Sequence, residues 1–441
     1  MVKIFLLGNG AREHVIAETL KRSSQDVKLF SYIKSRNPGI VELSEDVCVG
    51  SYTDYEKIKD FAKKSQVDFA FIGPDDPIGD GIVDVLEEIG IKSVAPKKTV
   101  ARLESSKSFT RELLTKYSIP GNPKYKIFTK VDSETSMKEF LDSIVGFVIK
   151  PDGLTGGKGV KVQGDHLETI NDAVKYCKEV LETHPRVVIE EKLEGQEFSL
   201  MCLTDGETVL KMPCVQDHKR AYVNDEGPNT GGMGSYSDAD HSLPFLSDSD
   251  VEDAYKITKM VAKALEAETG VKFKGVMYGG WICTSEGIRL IEFNARFGDP
   301  EVMNVLPILK TDFVKVCQAI IDEKLDEIGE LEFEKKATVC KYVVPKGYPT
   351  NPSVGEKIEI GQVSDNVKMY YASVDKKDDG LYLSTSRAIG FVGISDDIYE
   401  AEKVVQEAVG SVKGPVFFRP DIGTKELIQK RVEHMIRVRP E

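Results

Sequence analysis

Little in the sequence favours a secreted, membrane or nucleic-acid-binding protein. Only seven of the 441 residues are cysteine and no two form a CxxC pair, so neither a disulfide framework nor a zinc finger is indicated. No apolar run approaches the roughly 18–20 residues that span a bilayer, and Gly8 breaks the amino-terminal apolar stretch too early for a signal peptide. Basic residues are outnumbered by acidic ones, 59 against 72, which gives a formal net charge of −13 and no basic face for nucleic-acid phosphates. We therefore expect a cytoplasmic globular protein that binds neither membranes nor nucleic acids.

The first hundred residues alternate short apolar segments with amphipathic ones. This order of strand, helix and strand predicts a parallel sheet with helices packed on its faces. The loops at 8–10 and 73–75 follow predicted strands, at the edge where such sheets bind ligands. The predicted strands are 2–7, 27–31, 46–49, 68–72 and 92–95, and the predicted helices lie near 12–21, 54–64 and 79–89.

The rest of the chain mixes helical and extended patterns. A helix is predicted near 99–116, and Asp205-Gly206 predicts a tight hairpin between two strands. The polar stretch 216–237 shows no periodicity, which predicts a long functional loop. Beyond residue 331 the pattern is β-rich, and the basic helix at 425–439 is predicted to present a solvated face. At roughly 150 residues per domain, the length suggests about three domains.

Residues 8–14, Gly-Asn-Gly-Ala-Arg-Glu-His, lie between a predicted strand and a predicted helix. A dinucleotide site is disfavoured, because Glu13 stands at the third glycine position and the second strand ends in Phe30-Ser31 without an acidic residue for a ribose. A helix N-terminus nevertheless attracts anions through its free N–H groups. An anion site and a purely structural turn both remain open for this segment.

A glycine-rich segment at 152–159, Asp-Gly-Leu-Thr-Gly-Gly-Lys-Gly, differs from a P-loop. The spacer between Gly153 and Gly157 is one residue short, and an alternating strand follows where a P-loop has a helix. We predict a flexible hairpin whose backbone N–H groups and Lys158 approach phosphate oxygens; the alternative is a mobile surface turn. Lys150, at the end of the preceding apolar strand, favours the phosphate interpretation over a lysine that reaches solvent.

The segment 290–301 is the most informative part of the sequence. Alternate residues of a strand share a face, so Glu292, Asn294 and Arg296 are predicted to point the same way. A carboxylate and an amide about 6.6 Å apart supply oxygen ligands suited to Mg²⁺ or Mn²⁺, and the arginine suits a phosphate. Together with the lysines and the glycine hairpin, this pair predicts an ATP–metal site between two α+β lobes.

Several of these motifs occur in the order that is typical of one family. The sequence resembles the phosphoribosylamine–glycine ligases (glycinamide ribonucleotide synthetases) of the ATP-grasp superfamily, over essentially the whole chain. The pair Gln-Asp-His-Lys-Arg at 216–220 and Gly-Pro-Asn-Thr-Gly-Gly-Met-Gly at 227–234 is specific to this ligase, whereas the glycine hairpin indicates only the superfamily. Two departures from the family pattern are Pro151 with Thr155-Gly156 in the hairpin, and Thr385-Ser386-Arg387 where many members have Gly-Gly-Arg.

The resemblance implies a multidomain α/β and α+β fold and a reaction. Glycine and 5-phosphoribosylamine would be the substrates, and ATP with Mg²⁺ or Mn²⁺ would drive their ligation through glycyl phosphate, giving glycinamide ribonucleotide for purine biosynthesis. No obligate protein partner is expected. Another ATP-grasp carboxylate–amine ligase and a non-catalytic nucleotide sensor remain as alternatives. The implied domains are an N-terminal parallel-sheet domain at 1–100, an ATP-grasp domain at 101–330 with a lid lobe at about 121–190, a β-rich domain at 331–425 and a C-terminal helix or tail at 426–441.

The resemblance also implies roles for individual residues. Arg296 would stabilise the transferring phosphoryl group, and Glu292 and Asn294 would bind the metal. The expected ATP-binding residues are Lys107, Lys150, Gly153, Thr155, Gly156, Gly157, Lys158, Gly159, Glu190, Glu191, Leu193 and Glu197. The expected residues of the glycine and phosphoribosylamine pocket are Asp217, Lys219 and Arg220, to which we give catalytic roles, with Pro228, Asn229, Thr230, Gly231, Asp299, Gly8, Asn9, Gly10 and Arg12.

Overall fold

The computed structural model of the chain describes residues 1–156 and 159–440. Its N-terminal part is a five-stranded parallel sheet in the order β3-β2-β1-β4-β5, with helices on its faces. The central strands are almost wholly apolar and buried, as expected for a parallel sheet that is covered on both sides. The elements are β1 (Val2–Leu7), α1 (Ala11–Lys21), β2 (Val27–Ile33), α2 (Pro38–Leu43), β3 (Asp46–Val49), α3 (Tyr55–Ser65), β4 (Phe69–Ile72), α4 (Asp75–Asp80), α5 (Ile82–Glu87) and β5 (Ser93–Val94).

Two helices that the sequence analysis predicted as continuous are each divided in two. The segment predicted near 79–89 is interrupted at Gly81, whose φ of +100° is not helical and separates α4 from α5. The segment predicted near 99–116 is interrupted at Ser106, which is extended and caps a new helix by accepting from the Phe109 N–H. The resulting helices are α6 (Lys98–Ser105) and α7 (Lys107–Lys116), so Lys107 opens a helix instead of lying within one.

A lobe of four strands follows, in the order β6-β9-β7-β8, and it has its own hydrophobic core. That core is separate from the main core of the protein and is formed by residues such as Phe128, Leu141 and Ile189. Strands β7 and β8 pair antiparallel, which confirms the predicted hairpin on either side of the glycine segment. The elements are β6 (Tyr125–Phe128), α8 (Glu134–Asp142), β7 (Phe147–Pro151), β8 (Lys161–Val162), α9 (Ile170–Thr183) and β9 (Val187–Glu191).

The largest sheet joins the central and C-terminal parts of the chain. Its order is β16-β15-β10-β11-β14-β17-β22-β19, with β23 paired to β17. Strand β14 bridges the two halves, because it pairs with β11 on one side and β17 on the other. The central elements are β10 (Gln196–Thr204), β11 (Val209–Asp217), β12 (Arg220–Tyr222), β13 (Glu226–Asn229), β14 (Gly234–Ser237), α10 (Asp248–Thr269), β15 (Gly275–Thr284), β16 (Gly287–Asn294), α11 (Val302–Val305) and α12 (Phe313–Asp322).

The C-terminal part is β-rich, as predicted, and completes the confirmed multidomain fold. A separate three-stranded sheet has the order β18-β21-β20. The elements are β17 (Ala337–Pro345), β18 (Lys357–Ile358), β19 (Val367–Tyr371), β20 (Val374–Lys377), β21 (Gly380–Leu383), β22 (Ile389–Ser395), α13 (Ile398–Gly410), β23 (Val416–Phe417) and α14 (Lys425–Val438). Among the described residues, no helix is both long and apolar enough to cross a membrane.

Two further expectations were wrong. The stretch 216–237 is not an irregular loop, since it holds the end of β11, the small hairpin β12–β13 and the bridging strand β14. The C-terminal helix α14 does not merely present a solvated face, because Leu427, Ile428 and Met435 are buried beneath it. The stretch 216–237 has few large apolar residues and therefore no clear period, whereas the many charged residues of α14 led to the prediction of a solvated face.

Candidate active site

A cleft lies where the four-stranded lobe faces the end of β16. It is partly open to solvent, and concave sites of this kind are where small molecules usually bind. Cations and carboxylates make up much of its wall, as a site for a polyanion with a metal requires. The lining residues are Asp75, Leu103, Glu104, Lys107, Thr110, Arg111, Lys150, Gly153, Leu154, Thr155, Gly156, Val160, Glu190, Ile291, Glu292, Phe293, Asn294 and Arg296.

The floor of the cleft is the C-terminal end of β16. The Asn294 amide donates to Glu292 Oε1 at 3.5 Å and its oxygen accepts from Arg296 Nη2 at 3.3 Å, so the three side chains predicted to share a face do lie side by side. Burial would raise the pKa of Glu292, but nearby cations, above all Lys219 and Lys150, lower it below its ordinary value. The carboxylate therefore stays ionised and available to a cation.

A bulge in β16 adds a backbone acceptor to this floor. Gly280 pairs with Glu292 but Trp281 pairs with Leu290, so the register shifts by one residue at Ile291. The Ile291 carbonyl accepts from Arg111 Nη2 at 2.7 Å and from Lys150 Nζ at 3.0 Å. The bulge thus fixes two cations at one end of the cleft.

The same two cations hold the carboxylate of Glu190. Arg111 contacts its two oxygens at 2.7 and 2.9 Å, and Lys150 contacts one of them at 2.8 Å. All three side chains are at least nine-tenths buried. Burial alone would raise the pKa of Glu190, but the two cations outweigh it and lower that pKa to about 2. Glu190 is therefore a fixed anion at neutral pH.

Arg296 lies among carboxylates at the opposite end of the cleft. Its Nη2 is 3.1 Å from Glu104 Oε1 and 3.9 Å from Asp75 Oδ2. Glu104 is itself fixed, because its other oxygen accepts from the Ala295 N–H at 2.7 Å. The buried Arg296 Nε has no hydrogen-bond partner within 1–156 and 159–440. One buried donor of a cation that lines the cleft is therefore unsatisfied among the described residues.

The base of the glycine hairpin is attached to the start of α7. Asp152 accepts from the Ser108 N–H at 3.1 Å and from the Ser106 hydroxyl at 3.2 Å, and Lys107 Nζ donates to the Gly153 carbonyl at 2.7 Å. Thr155 and Gly156 also line the cleft, whereas Gly159 does not. The predicted phosphate-binding residues Gly157 and Lys158 lie outside the described residues.

A second charged cluster adjoins β16 at the end of β11. Lys219 Nζ is 3.5 Å from the Glu197 carboxylate, and the negative field of Asp217 raises the pKa of Lys219. Glu301 accepts from the Tyr278 hydroxyl at 2.7 Å, and burial followed by repulsion from Asp217 raises the pKa of Glu301 to about 7. The cluster contains more carboxylates than cations, as a site for an amine would.

The N-terminal loop reaches this region through Arg12. Its Nη1 donates to the Phe297 carbonyl at 3.4 Å, just beyond β16. Glu13 fixes it, because Glu13 accepts from Arg12 Nε at 2.6 Å and from the Gly10 N–H at 2.7 Å. A Cβ on Gly8 would fall 2.2 Å from the Glu13 side chain, so the glycine is required by close approach. The predicted substrate residue Asn9 uses its side-chain oxygen within the domain, where it accepts from the Tyr52 hydroxyl at 2.7 Å.

The C-terminal part of the chain contributes Arg387 beside Asp299. Arg387 Nη2 is 3.1 Å from the Asp299 carboxylate, which also accepts from the Tyr342 hydroxyl at 2.6 Å. Arg387 Nη1 donates to the carbonyls of Gly231 and Gly232 at 2.8 and 2.9 Å. The change to Thr385-Ser386 before it has therefore not removed this arginine from the predicted substrate loop.

The predicted residues fall into three groups. Lys107, Lys150, Gly153, Thr155, Gly156, Glu190, Glu292, Asn294 and Arg296 line the cleft. Asp217, Lys219, Glu197, Arg12 and Asp299 belong to the adjoining charged clusters. The third group makes contacts outside the lining of the cleft. Glu191 accepts from the Lys124 N–H, and Leu193 is half-buried in the following linker. Arg220 pairs with Asp165, Pro228 and Asn229 are exposed on β13, and the Thr230 hydroxyl donates to the Lys219 carbonyl. This group also includes Gly8, Asn9, Gly10, Gly159 and Gly231.

The residues of these clusters that sequence reasoning did not assign to the site include Arg111, Glu104, Glu13 and Arg387. The first two flank the Ser-Lys-Ser-Phe-Thr segment at 106–110, whose proximity was the one available signal for them. Glu13 was noted only as the residue that excludes a dinucleotide site. Partners such as Glu190, 79 residues from Arg111, could not be assigned without the fold.

Comparison with known proteins identifies the family. Models of the N, ATP-grasp (A) and C domains of phosphoribosylglycinamide synthetase match residues 2–104, 105–302 and 338–425. The chain belongs to the phosphoribosylamine–glycine ligase family. It is 49% identical to the phosphoribosylamine–glycine ligase of Methanocaldococcus jannaschii, with 99% of this chain and all of that protein covered. It is 46% identical to the ligase of Methanosarcina barkeri, over 99% of this chain and all of that protein.

Solved structures agree with this family. The crystal structure of a phosphoribosylamine–glycine ligase from Thermotoga maritima matches with a TM-score of 0.79 and 25% identity, covering 95% of this chain and all of that one. The biotin carboxylase domain of the Hydrogenobacter thermophilus 2-oxoglutarate carboxylase matches with a TM-score of 0.71 at 15% identity, over 98% of this chain and 93% of that one. The second likeness concerns the fold alone.

Proposed function

We propose that the protein ligates glycine to 5-phosphoribosylamine at the expense of ATP, releasing ADP, phosphate and glycinamide ribonucleotide for purine biosynthesis. The observation that carries the proposal is the floor of the cleft, where Glu292, Asn294 and Arg296 stand together and the Arg296 Nε has no partner within the part of the chain that the structure describes. The family membership supports the same reaction. The seven cysteines are all unpaired, which supports a reducing, cytoplasmic compartment.

ATP-grasp ligases use ATP with a divalent metal, and the donors on β16 fit such an ion. Glu292 and Asn294 would hold it, and they offer the hard oxygen donors that Mg²⁺ and Mn²⁺ accept. In the described parts of the chain no group of three His, Cys, Asp or Glu residues forms a complete metal cage. Mg²⁺ usually keeps several waters and takes further ligands from substrate phosphates, so the two donors on β16 are compatible with it. Bound there, the ion would neutralise charge on the phosphates of ATP.

The side chains of the cleft support binding of ATP at both of its ends. We assign the adenine end to the region of Glu190, Glu191 and Leu193, where Arg111 and Lys150 keep the Glu190 carboxylate ionised as an acceptor for an amino group. We assign the phosphates to Lys107, Lys150 and the glycine hairpin at 153–159. In the first step a carboxylate oxygen of glycine attacks the γ-phosphorus and ADP leaves, which gives glycyl phosphate.

Arg296 would act in this first step. Its planar guanidinium is anchored by Glu104 and Asn294, so its unpartnered Nε–H keeps a fixed direction while negative charge develops on the transferring phosphoryl oxygens. A donor fixed in advance needs no reorganisation when the reaction occurs. Glu104 therefore acts through Arg296 as a positioning residue.

In the second step the amine of 5-phosphoribosylamine attacks the acyl carbon of glycyl phosphate. The C–N bond forms, phosphate leaves and the amine loses a proton. We assign the pocket for both substrates to the clusters of Asp217, Lys219, Arg220 and Asp299, to the loop at 228–231 and to Arg12 with the loop at 8–10. The Arg12 guanidinium suits the phosphate of one substrate, and Asp217 suits the ammonium of the other.

The test is ADP release by the purified protein with ATP, Mg²⁺ or Mn²⁺, glycine and freshly formed 5-phosphoribosylamine. We expect ADP and glycinamide ribonucleotide in equal amounts, and a rate that falls to background when either substrate is omitted. Equal ADP release without 5-phosphoribosylamine or without glycine would refute the proposed ligation. The Arg289→Lys variant serves as a control, because Arg289 lies on β16 but does not line the cleft. It should release ADP at the same rate as the unchanged protein.

A further inference from the structure

The tip of the β12–β13 hairpin has an unusual backbone. Asn224 and Asp225 are consecutive non-glycine residues with φ of +62° and +58°, in the left-handed region that side chains disfavour. Asn and Asp tolerate this region better than most residues, but such conformations persist only where the surroundings hold them. The contacts of the tip therefore show what holds the hairpin in place.

Asp225 is held by two arginines from the C-terminal part of the chain. Arg419 Nη1 donates to one of its oxygens at 2.8 Å, and Arg431 of α14 contacts the other. Arg419 is almost completely buried, and it also pairs with Asp421 at 2.7 Å. Burial alone would raise the pKa of Asp225, but the surrounding positive charge lowers that pKa to about 2, so the carboxylate is ionised throughout the neutral range.

Asn224 is held by the same region. Its N–H donates to Asp421 Oδ2 at 3.0 Å, and its side-chain oxygen accepts from Lys430 Nζ at 2.8 Å. Arg419 Nη1 additionally donates to the carbonyl of Arg220, at the start of the hairpin, at 3.1 Å. Each of these contacts to the hairpin comes from residues 419–431, so the C-terminal end of the chain sets where the hairpin lies.

The base of the hairpin carries the predicted substrate residues. Arg220 pairs across the hairpin with Asn229, and the Thr230 N–H and hydroxyl donate to the Lys219 carbonyl at 2.7 and 2.8 Å. The other face of the hairpin touches the four-stranded lobe, where Arg220 Nη2 is 2.9 Å from Asp165. Displacement of the tip would therefore move Lys219 and Arg220 together.

We propose that Asp225, Arg419 and Arg431 are positioning residues for the substrate pocket, which fix the hairpin without touching a substrate. A buried ion cluster gains little net stability, since desolvation of its charges offsets their attraction. Its charges and hydrogen bonds do, however, fix one geometry. The inference rests on the proposed function, because the residues that it orients are those assigned there to glycine and 5-phosphoribosylamine.

The test compares Asp225→Asn and Arg431→Met with the control Arg437→Met, which changes an exposed arginine of the same helix. We expect the KM for glycine or for 5-phosphoribosylamine to rise at least fivefold in both variants, with the KM for ATP within twofold of the unchanged protein. Arg431→Lys should recover part of the loss, because it keeps one charge near Asp225. The control Arg437→Met should leave the KM values for glycine, 5-phosphoribosylamine and ATP unchanged.

A purely stabilising role would give a different result. It would lower the melting temperature and the active fraction, with every KM unchanged, and that result would overturn the proposal. Should a buried variant fail to fold, Lys430→Met removes only the exposed contact to Asn224 and should still raise a substrate KM; an unchanged KM there would also overturn the proposal. Absence of substrate-dependent ADP release by the unchanged protein would instead refute the proposed function.

Discussion

Replacing Arg296 with lysine tests the role of the guanidinium most directly. Lysine keeps one positive charge near Glu104, but it has no second donor in a fixed plane. In the structure the arginine contacts Glu104 at 3.1 Å and Asn294 at 3.3 Å. Its Nε has no hydrogen-bond partner among residues 1–156 and 159–440. A single ammonium cannot keep the Glu104 contact and also donate where Nε does. We therefore expect Arg296→Lys to lose one charge-assisted hydrogen bond that forms in the transition state.

The expected size follows from that one bond. A hydrogen bond to a charged group contributes about 1.5–3 kcal/mol, and the loss of that energy in the transition state lowers a rate roughly 10- to 150-fold. The loss should appear in kcat, because the γ-phosphoryl oxygens gain their distinctive charge only as the bond to ADP breaks. The KM for ATP should change less than threefold, since Lys107 and Lys150 remain. Initial rates of ADP release at saturating glycine and 5-phosphoribosylamine, with ATP varied, measure both constants.

The control for this experiment is Arg289→Lys. Arg289 lies on the same strand and pairs at 2.7 Å with Glu286, which is largely exposed, so the same substitution there should leave both constants unchanged. A raised KM for ATP with an unchanged kcat in Arg296→Lys would refute the reasoning, because Arg296 would then bind ATP equally in the ground state and the transition state.

The strands that build the site could be predicted because their patterns are local. The period of two along β16 is sufficient to place Glu292 and Asn294 on one face, and they are hydrogen-bonded to each other. Arg296 lies in the bend just after the strand, where it donates to Asn294. The bulge at Ile291 could not be predicted, because it depends on how β16 pairs with β15. That pairing creates the backbone acceptor for Arg111 and Lys150, so one end of the cleft was missing from the sequence-based description.

One strand was missed, and the surroundings of one correctly predicted helix were wrong, for a related reason. Strand β14 has the sequence Gly-Ser-Tyr-Ser, with one large apolar residue, and it is a strand only because β11 and β17 offer free edges on both sides. The C-terminal helix α14 was predicted to be solvated because it is rich in charged residues, although its Leu427, Ile428 and Met435 are buried. Its basic residues turn out to have specific partners, such as Asp225 for Arg431 and Asp250 for Arg439. Charge alone does not distinguish a solvated face from a docked one.

Three further predictions concern the metal, the hairpin and acid stability. Glu292→Gln should lower kcat at least a hundredfold at saturating Mg²⁺, because the ligand loses its charge; near-normal activity would place the metal elsewhere. Trypsin should cut the free protein after Lys158 or Lys161, and Mg-ATP should slow these cuts but not those in the C-terminal tail; equal rates with and without nucleotide would mean that the hairpin does not close over ATP. Arg111→Met should raise the pH at which the fold is lost in acid, as followed by the fluorescence of Trp281, which is the only tryptophan and is buried against Phe293. The folded pKa of Glu190, about 2, lies below its ordinary value of 4.5, so its ion pairs stabilise the folded protein above about pH 4.5 and that contribution is lost as the pH falls towards 2. The difference of roughly 2.5 pH units corresponds to about 3 kcal/mol of stability. In Arg111→Met, Lys150 alone would keep only part of this stabilisation. An unchanged acid transition would therefore show that Arg111 does not set the charge of Glu190.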